Sequence, residues 1–129
     1  MMAQLDEFMK IFEELKSILV KYEDRLIQGR QGEGDYHLNT SMLMKKGDRL
    51  YFGGVEIRKS YVSFYLMPIY CCPEMTELIS PELLQRMQGK SCFNFKKYDQ
   101  ALFDQIAVLT EHGFQRFNSG EVRERLAQF

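Results

Sequence analysis

Residues 36–67, YHLNTSMLMKKGDRLYFGGVEIRKSYVSFYLM, decide the fold. Apolar and polar residues alternate with a period of two from Tyr36 onward, which is the pattern of a strand with one buried face. Residues 46–48 (KGD) predict a hairpin turn, and Gly53-Gly54 predicts either a turn or a β-bulge. The run 60–65 (SYVSFY) is rich in residues that favour strands and predicts a central strand. The stretch therefore predicts three or four antiparallel strands.

The preceding residues, 4–28, predict one long helix. Its apolar side chains recur in steps of three and four and form one stripe: Leu5, Phe8, Phe12, Leu15, Leu19, Tyr22 and Leu26. A helix laid across a sheet and a seam between two copies both satisfy this spacing, and the width of the stripe favours the sheet. Residues 29–34 (GRQGEG) predict a flexible loop, because three glycines in six residues are costly in a helix.

The following residues predict two short helices, a strand and another long helix. Their boundaries, in chain order, are a helix start at Pro73, a second at Ser80-Pro81, a strand over 91–95 and a long helix over 99–117. Ser119 is expected to cap a short terminal helix that holds Val122 and Leu126.

This order of elements predicts a single α+β domain over residues 1–129. The predicted order is α-β-β-β-(β)-α-α-β-α-α, with the strands grouped rather than alternating with helices. We expect a mainly antiparallel sheet of about five strands, with the N-terminal and C-terminal long helices packed on one of its faces.

Composition and charge exclude several classes of protein. The formal net charge is −1 and the basic residues are scattered among acidic ones, which argues against nucleic acid as a partner. Residues 1–20 do not have the pattern of a signal peptide, and no apolar window is long enough to cross a membrane. Three cysteines cannot all pair, which fits a reducing compartment and predicts a cytoplasmic protein.

We expect the sheet face opposite the helices to carry a patch of tyrosine and methionine, two residue types that are common at contact surfaces. Its predicted members are Tyr36, Met42, Met44, Tyr51, Tyr61, Tyr65 and Met67. The alternative is ordinary packing of these side chains in the core and at the sheet edges. The patch favours a non-enzymatic binding module that takes a protein, a small molecule or a second copy of the chain. No cofactor is predicted from the residues themselves.

Three segments carry a resemblance to a known family. They are SMLMKKGDRLYFGGVEIRKSYVSFYLMP (41–68), QGKSCFNF (88–95) and DQALFDQIAVL (99–109). The chain resembles the YdhG-like proteins, a bacterial family of unknown function whose domain is compared with frataxin, over residues 5–117. Family members usually carry a Tyr-Gly-x-Pro turn before the first hairpin, and this chain has Leu38-Asn39-Thr40-Ser41 there.

The resemblance implies iron handling as an alternative function, because some relatives are discussed as iron chaperones. Iron would use exposed carboxylates on the first helix, and Glu7, Glu13 and Glu14 are the candidates. Interleaved lysines on the same helix indicate an ordinary solvated face instead.

Two further groups of residues could carry chemistry. Cys71 and Cys72, with Cys92 and a histidine, could hold a soft metal, although small apolar side chains in a core are the simpler interpretation. His37 lies on the outer side of the first predicted strand, where a surface histidine is the simpler interpretation.

Overall fold

The computed structural model describes residues 2–120, whose helices and strands form an α+β fold, as predicted. The helices and strands, in chain order, are α1 (Met2–Val20), β1 (Ile27–Gly32), β2 (Asp35–Leu43), β3 (Arg49–Ile57), β4 (Val62–Leu66), α2 (Met67–Cys71), α3 (Pro81–Leu84), β5 (Cys92–Phe95) and α4 (Gln100–Asn118). Two 3₁₀ segments lie at Glu23–Arg25 and Pro73–Leu78. The described strands form one sheet in the order β1-β2-β3-β4-β5, and every neighbouring pair is antiparallel.

Helix α1 is shorter than its apolar stripe predicts. Phe8, Phe12 and Leu15 are buried as expected, but the helix ends at Val20 rather than at residue 28. The residues beyond the 3₁₀ segment are extended and enter β1. Their backbone hydrogen bonds go to β2, so pairing in the sheet prevails over the helical pattern at this end.

Strand β1 replaces the flexible loop that the sequence predicts over residues 29–34. It pairs with β2 through Gln28↔Leu38 and Gln31↔Tyr36, and the register shifts between these pairs. The turn to β2 follows the strand, with Gly34 at a φ of 77°. Glycine is a weak strand former, but here pairing with β2 provides hydrogen-bond partners for the backbone N–H and C=O groups of β1.

A β-bulge explains the double glycine in the middle of β3. Leu38 pairs with Gly53 while Asn39 pairs with Tyr51, which leaves Phe52 as an extra residue. The bulge changes which residues face the core. Up to Phe52 the even-numbered residues of β3 face it, and from Val55 onward the odd-numbered residues do. Residues 49–57 therefore form one continuous strand rather than two.

Both long helices pack on the same face of the sheet, as predicted. The Phe52 ring lies 6.0 Å from the ring of Tyr22, just beyond α1, and 6.1 Å from the ring of Phe114 on α4. At the other edge, the rings of Phe95 on β5 and Phe103 on α4 are 5.0 Å apart. The hydrophobic core therefore occupies one side of the sheet, and the side chains on its other side are mostly polar, with the exposed Leu43 an exception.

The predicted helix start at Ser80-Pro81 and the predicted long helix near the C-terminus are confirmed, whereas the predicted start at Pro73 begins a 3₁₀ segment and α2 lies before it. The Ser80 side chain accepts a hydrogen bond from the backbone N–H of Leu83, and Asp99 caps α4 by accepting one from Leu102. The predicted terminal helix with Val122 and Leu126 lies outside the described residues. Within residues 2–120, no helix has the length and apolar character of a membrane span.

Candidate functional site

The polar face of the sheet contains a hollow of about 480 Å³. Side chains of the first four strands line it: Arg30, His37, Asn39, Tyr51, Glu56 and Tyr65. Their positions follow from the alternation of each strand, since the odd-numbered residues of β2 point away from the core. The bulge in β3 then brings Glu56 to this face together with Tyr51.

Glu56 is the centre of the polar network. Arg30 donates to its Oε1 from Nη2 at 2.5 Å, and Arg58 donates to its Oε2 from Nη1 at 2.9 Å. The hydroxyl of Tyr65 also donates to Oε2, at 3.1 Å. The side chain of Glu56 is only 11% exposed, so a carboxylate in the middle of the sheet is held by three donors.

His37 connects Glu56 to the other members of the network. Its Nε2 lies 2.5 Å from Oδ1 of Asp35 and 3.2 Å from Oε1 of Glu56, and its Nδ1 lies 2.6 Å from the hydroxyl of Tyr51. A carboxylate only accepts hydrogen bonds, so Nε2 carries the proton and donates to Asp35. In the neutral imidazole, Nδ1 then accepts from Tyr51.

The charged partners alter the acid strength of several groups in the network. Burial raises the pKa of Asp35, but hydrogen bonds from Arg30 and His37 outweigh it and hold that pKa below its usual range. Burial, reinforced by the charge of Glu56, raises the pKa of Tyr51 well above its usual range. Asp35 is therefore an anion and Tyr51 a neutral donor near neutral pH.

Gly54 leaves the space in which His37 and Tyr51 meet. A Cβ atom at this position would collide with the Tyr51 hydroxyl and with His37 Nδ1, and it would lie 2.8 Å from the backbone oxygen of Tyr36. The second glycine of the pair is therefore required by the polar network on this face.

The structure divides the predicted tyrosine and methionine patch between the two faces. Tyr51 and Tyr65 belong to the network described above. Tyr61 lies in the turn that joins β3 to β4 and is half-buried. The other members lie on the core side, where Tyr36 is 1% exposed and Met42, Met44 and Met67 pack partly buried against the core. The alternation of β2 puts Tyr36, Met42 and Met44 on the face that does not carry His37, which is the core face. The prediction that they lie on the uncovered face of the sheet was wrong.

The metal candidates from the sequence do not lie in this network. Glu7 on α1 accepts from the backbone N–H of Tyr98 at 2.8 Å, and Glu14 accepts weakly from the Tyr98 hydroxyl at 3.4 Å. Glu13 is exposed on the same helix. Cys71 and Cys72 are buried at the end of α2, as the apolar interpretation predicts. Burial raises the pKa of the Cys92 thiol, which lies on the polar face.

The alternation of β2 predicts His37 at the surface, and Asp35 and Glu56 are not among the predicted site residues. His37 and Glu56 are each 9% exposed, which is unusual for side chains of these types. One signal was available, because Glu56 is a charged residue inside an apolar run (GGVEI) that also contains a double glycine.

The fold and this site define a small α+β domain that carries a charged hollow on the polar face of its sheet. No protein-family model, curated protein or solved structure matches the chain.

Proposed function

We propose that the protein is a non-enzymatic binding module whose ligand occupies the hollow on the polar sheet face. The observation that carries this proposal is the network centred on Glu56. A carboxylate and an imidazole are largely withdrawn from water there, on a face that lies opposite the hydrophobic core.

The energetic cost of the network supports a functional role. Burying charged groups costs solvation free energy, and apolar side chains of similar volume usually stabilise a fold as well or better. A sheet selected only for stability would carry threonine or valine at positions 37 and 56. Polar clusters that break this rule occur preferentially at binding and catalytic sites.

The composition of the hollow indicates a small polar ligand rather than an apolar surface. Arg30 lines the hollow with 69% of its side chain exposed, and it can turn toward a bound molecule. Tyr51 and Tyr65 offer hydroxyl groups and ring faces.

A homodimer through this face stays a prediction, and so do the YdhG-like and frataxin-like assignment and the iron-handling function that the resemblance implies.

Nuclear magnetic resonance of the ¹⁵N-labelled chain tests the proposal. The protein is titrated with small carboxylates, amines and zinc chloride, each at millimolar concentration. We expect at least one of these probes to shift the backbone amides around Arg30, His37 and Glu56. The matched variants are Glu56→Gln, which should weaken these shifts, and Glu82→Gln, an exposed carboxylate on α3, which should leave them unchanged.

Two outcomes contradict the proposal. One is that no probe of any class shifts amides on β1, β2 or β3. The other is that probes bind elsewhere, for example around Tyr98, and that Glu56→Gln has no effect on their binding.

A further inference from the structure

Three side chains of the network have the geometry of metal ligands. Among the His, Cys, Asp and Glu residues of the described chain, Asp35, His37 and Glu56 form the one group of three whose potential ligand atoms lie within 4.8 Å of one another. Ligands of one first-row metal ion lie about 3.0–3.4 Å apart, given metal–ligand distances of about 2.0–2.2 Å. The 3.2 Å between His37 Nε2 and Glu56 Oε1 falls in this range, whereas the 2.5 Å between His37 Nε2 and Asp35 Oδ1 is a hydrogen-bond distance that lengthens when an ion replaces the proton between these two atoms.

A cationic group already contacts the two carboxylates. Arg30 reaches Asp35 Oδ2 from its Nε at 2.6 Å and Glu56 Oε1 from its Nη2 at 2.5 Å. Its side chain is 69% exposed and comes from the edge strand β1, next to the register shift of that strand. An exposed arginine is held weakly by such pairs, so an ion with three ligands can displace it.

The surroundings of His37 suit a ligand role. Metal binding at Nε2 moves the ring proton to Nδ1, from where it donates to the Tyr51 oxygen at the distance already present, 2.6 Å. Hydrogen bonds of this kind fix the orientation of a metal-bound imidazole. Arg58 and Tyr65 hold the second oxygen of Glu56 and orient that carboxylate in the same way.

We propose that Asp35, His37 and Glu56 bind one divalent transition-metal ion, and that Arg30 occupies the two carboxylates when the ion is absent. One nitrogen and two carboxylate oxygens suit zinc, cobalt, manganese or ferrous ions, and three protein ligands leave coordination positions for water or a small ligand. This inference rests on the proposed function and names the class of its ligand.

Cobalt(II) is the probe for the test, since its visible absorption reports coordination directly. The chain is titrated with cobalt chloride and followed by absorption and by calorimetry. We expect one ion per chain. His37→Gln and Glu56→Gln should each weaken binding at least tenfold, because each removes a ligand. Arg30→Ala should tighten binding several-fold, because it removes the competing cation.

Circular dichroism shows whether the variants of the buried residues His37 and Glu56 fold. If they do not, Arg30→Ala still tests the inference, because it is expected to tighten cobalt binding rather than weaken it. Glu82→Gln is the matched control for an exposed carboxylate, on α3, and should bind cobalt as the wild type does. The inference is overturned if cobalt does not bind, if binding is insensitive to His37→Gln and Glu56→Gln, or if Arg30→Ala weakens it.

Failure of the metal inference and failure of the proposed function are distinguishable. If organic carboxylates or amines shift the amides around Glu56 while cobalt does not bind, the site is a binding site without a metal. If neither class of probe binds on this face, both proposals are wrong.

Discussion

Gly54 is the single position on which the polar network depends most directly. A methyl group there would overlap the Tyr51 hydroxyl and His37 Nδ1, and the nearby backbone oxygen of Tyr36 cannot move without breaking the β2–β3 ladder. We expect Gly54→Ala to lower the free energy of unfolding by about 1–3 kcal/mol, the range typical of overpacked positions. Urea denaturation followed by circular dichroism measures this loss.

Gly32 provides the matched control for Gly54. It lies in a strand of the same sheet, its φ is not positive, and no atom lies within 4 Å of a Cβ built on it. Gly32→Ala should therefore change stability by less than about 0.5 kcal/mol, as most surface substitutions do. Equal losses for the two variants would show that glycine is needed for strand flexibility and not for the His37–Tyr51 contact.

Among the helices, α4 depends on a close approach to α2. Gly113 faces Pro68, and a Cβ at Gly113 would lie 2.7 Å from the Pro68 Cβ. In an exposed helix, alanine would be favoured over glycine by about 1 kcal/mol, but steric overlap with a proline ring reverses the sign. We expect Gly113→Ala to lower the melting temperature.

Val108 is the matched control on α4, because its side chain is 58% exposed. Val108→Ala should leave the melting temperature unchanged or raise it slightly, since alanine is the better helix former. A stabilised Gly113→Ala variant would contradict the close contact between α2 and α4.

Strand β1 shows where sequence reasoning about elements fails. Its residues, IQGRQG, have neither the alternation nor the composition of a strand, and the apolar stripe of α1 continues through Tyr22 to Leu26. The strand exists because β2 offers backbone partners along its edge. Such pairing depends on residues distant in sequence, whereas the elements predicted well, β2, β4 and α4, have strong local patterns.

The candidate site could not be predicted for a related reason. Periodicity places His37 on the polar side of β2, but the site joins it to Glu56 of β3 and Arg30 of β1. These contacts depend on the register between strands, which shifts once between β1 and β2 and twice between β2 and β3. The alternation of one strand gives the face of a side chain and not its neighbours on adjacent strands.

A contact between distant parts of the chain links the stability of the whole molecule to pH. The Tyr22 hydroxyl, just beyond α1, donates to Glu111 Oε1 of α4 at 2.6 Å. This hydrogen bond, followed by one from Gln115, holds the pKa of Glu111 below its usual 4.5. Because the pKa is depressed in the folded state, its contribution to stability is present above pH 4.5 and is lost as the pH falls through the folded-state pKa.

Glu111→Gln should therefore be less stable than the wild type at pH 7, by about 0.5 kcal/mol because the carboxylate is exposed to water. The difference should shrink as the pH falls from 5 to 3, since the wild type then loses the same charge. Urea unfolding at several pH values measures both quantities. In a Tyr22→Phe background, the effect of Glu111→Gln should be smaller, because only the hydrogen bond from Gln115 then remains. A difference that persists at pH 3, or that is undiminished in the Tyr22→Phe background, would show that the Tyr22 hydrogen bond is not the main contact through which Glu111 acts.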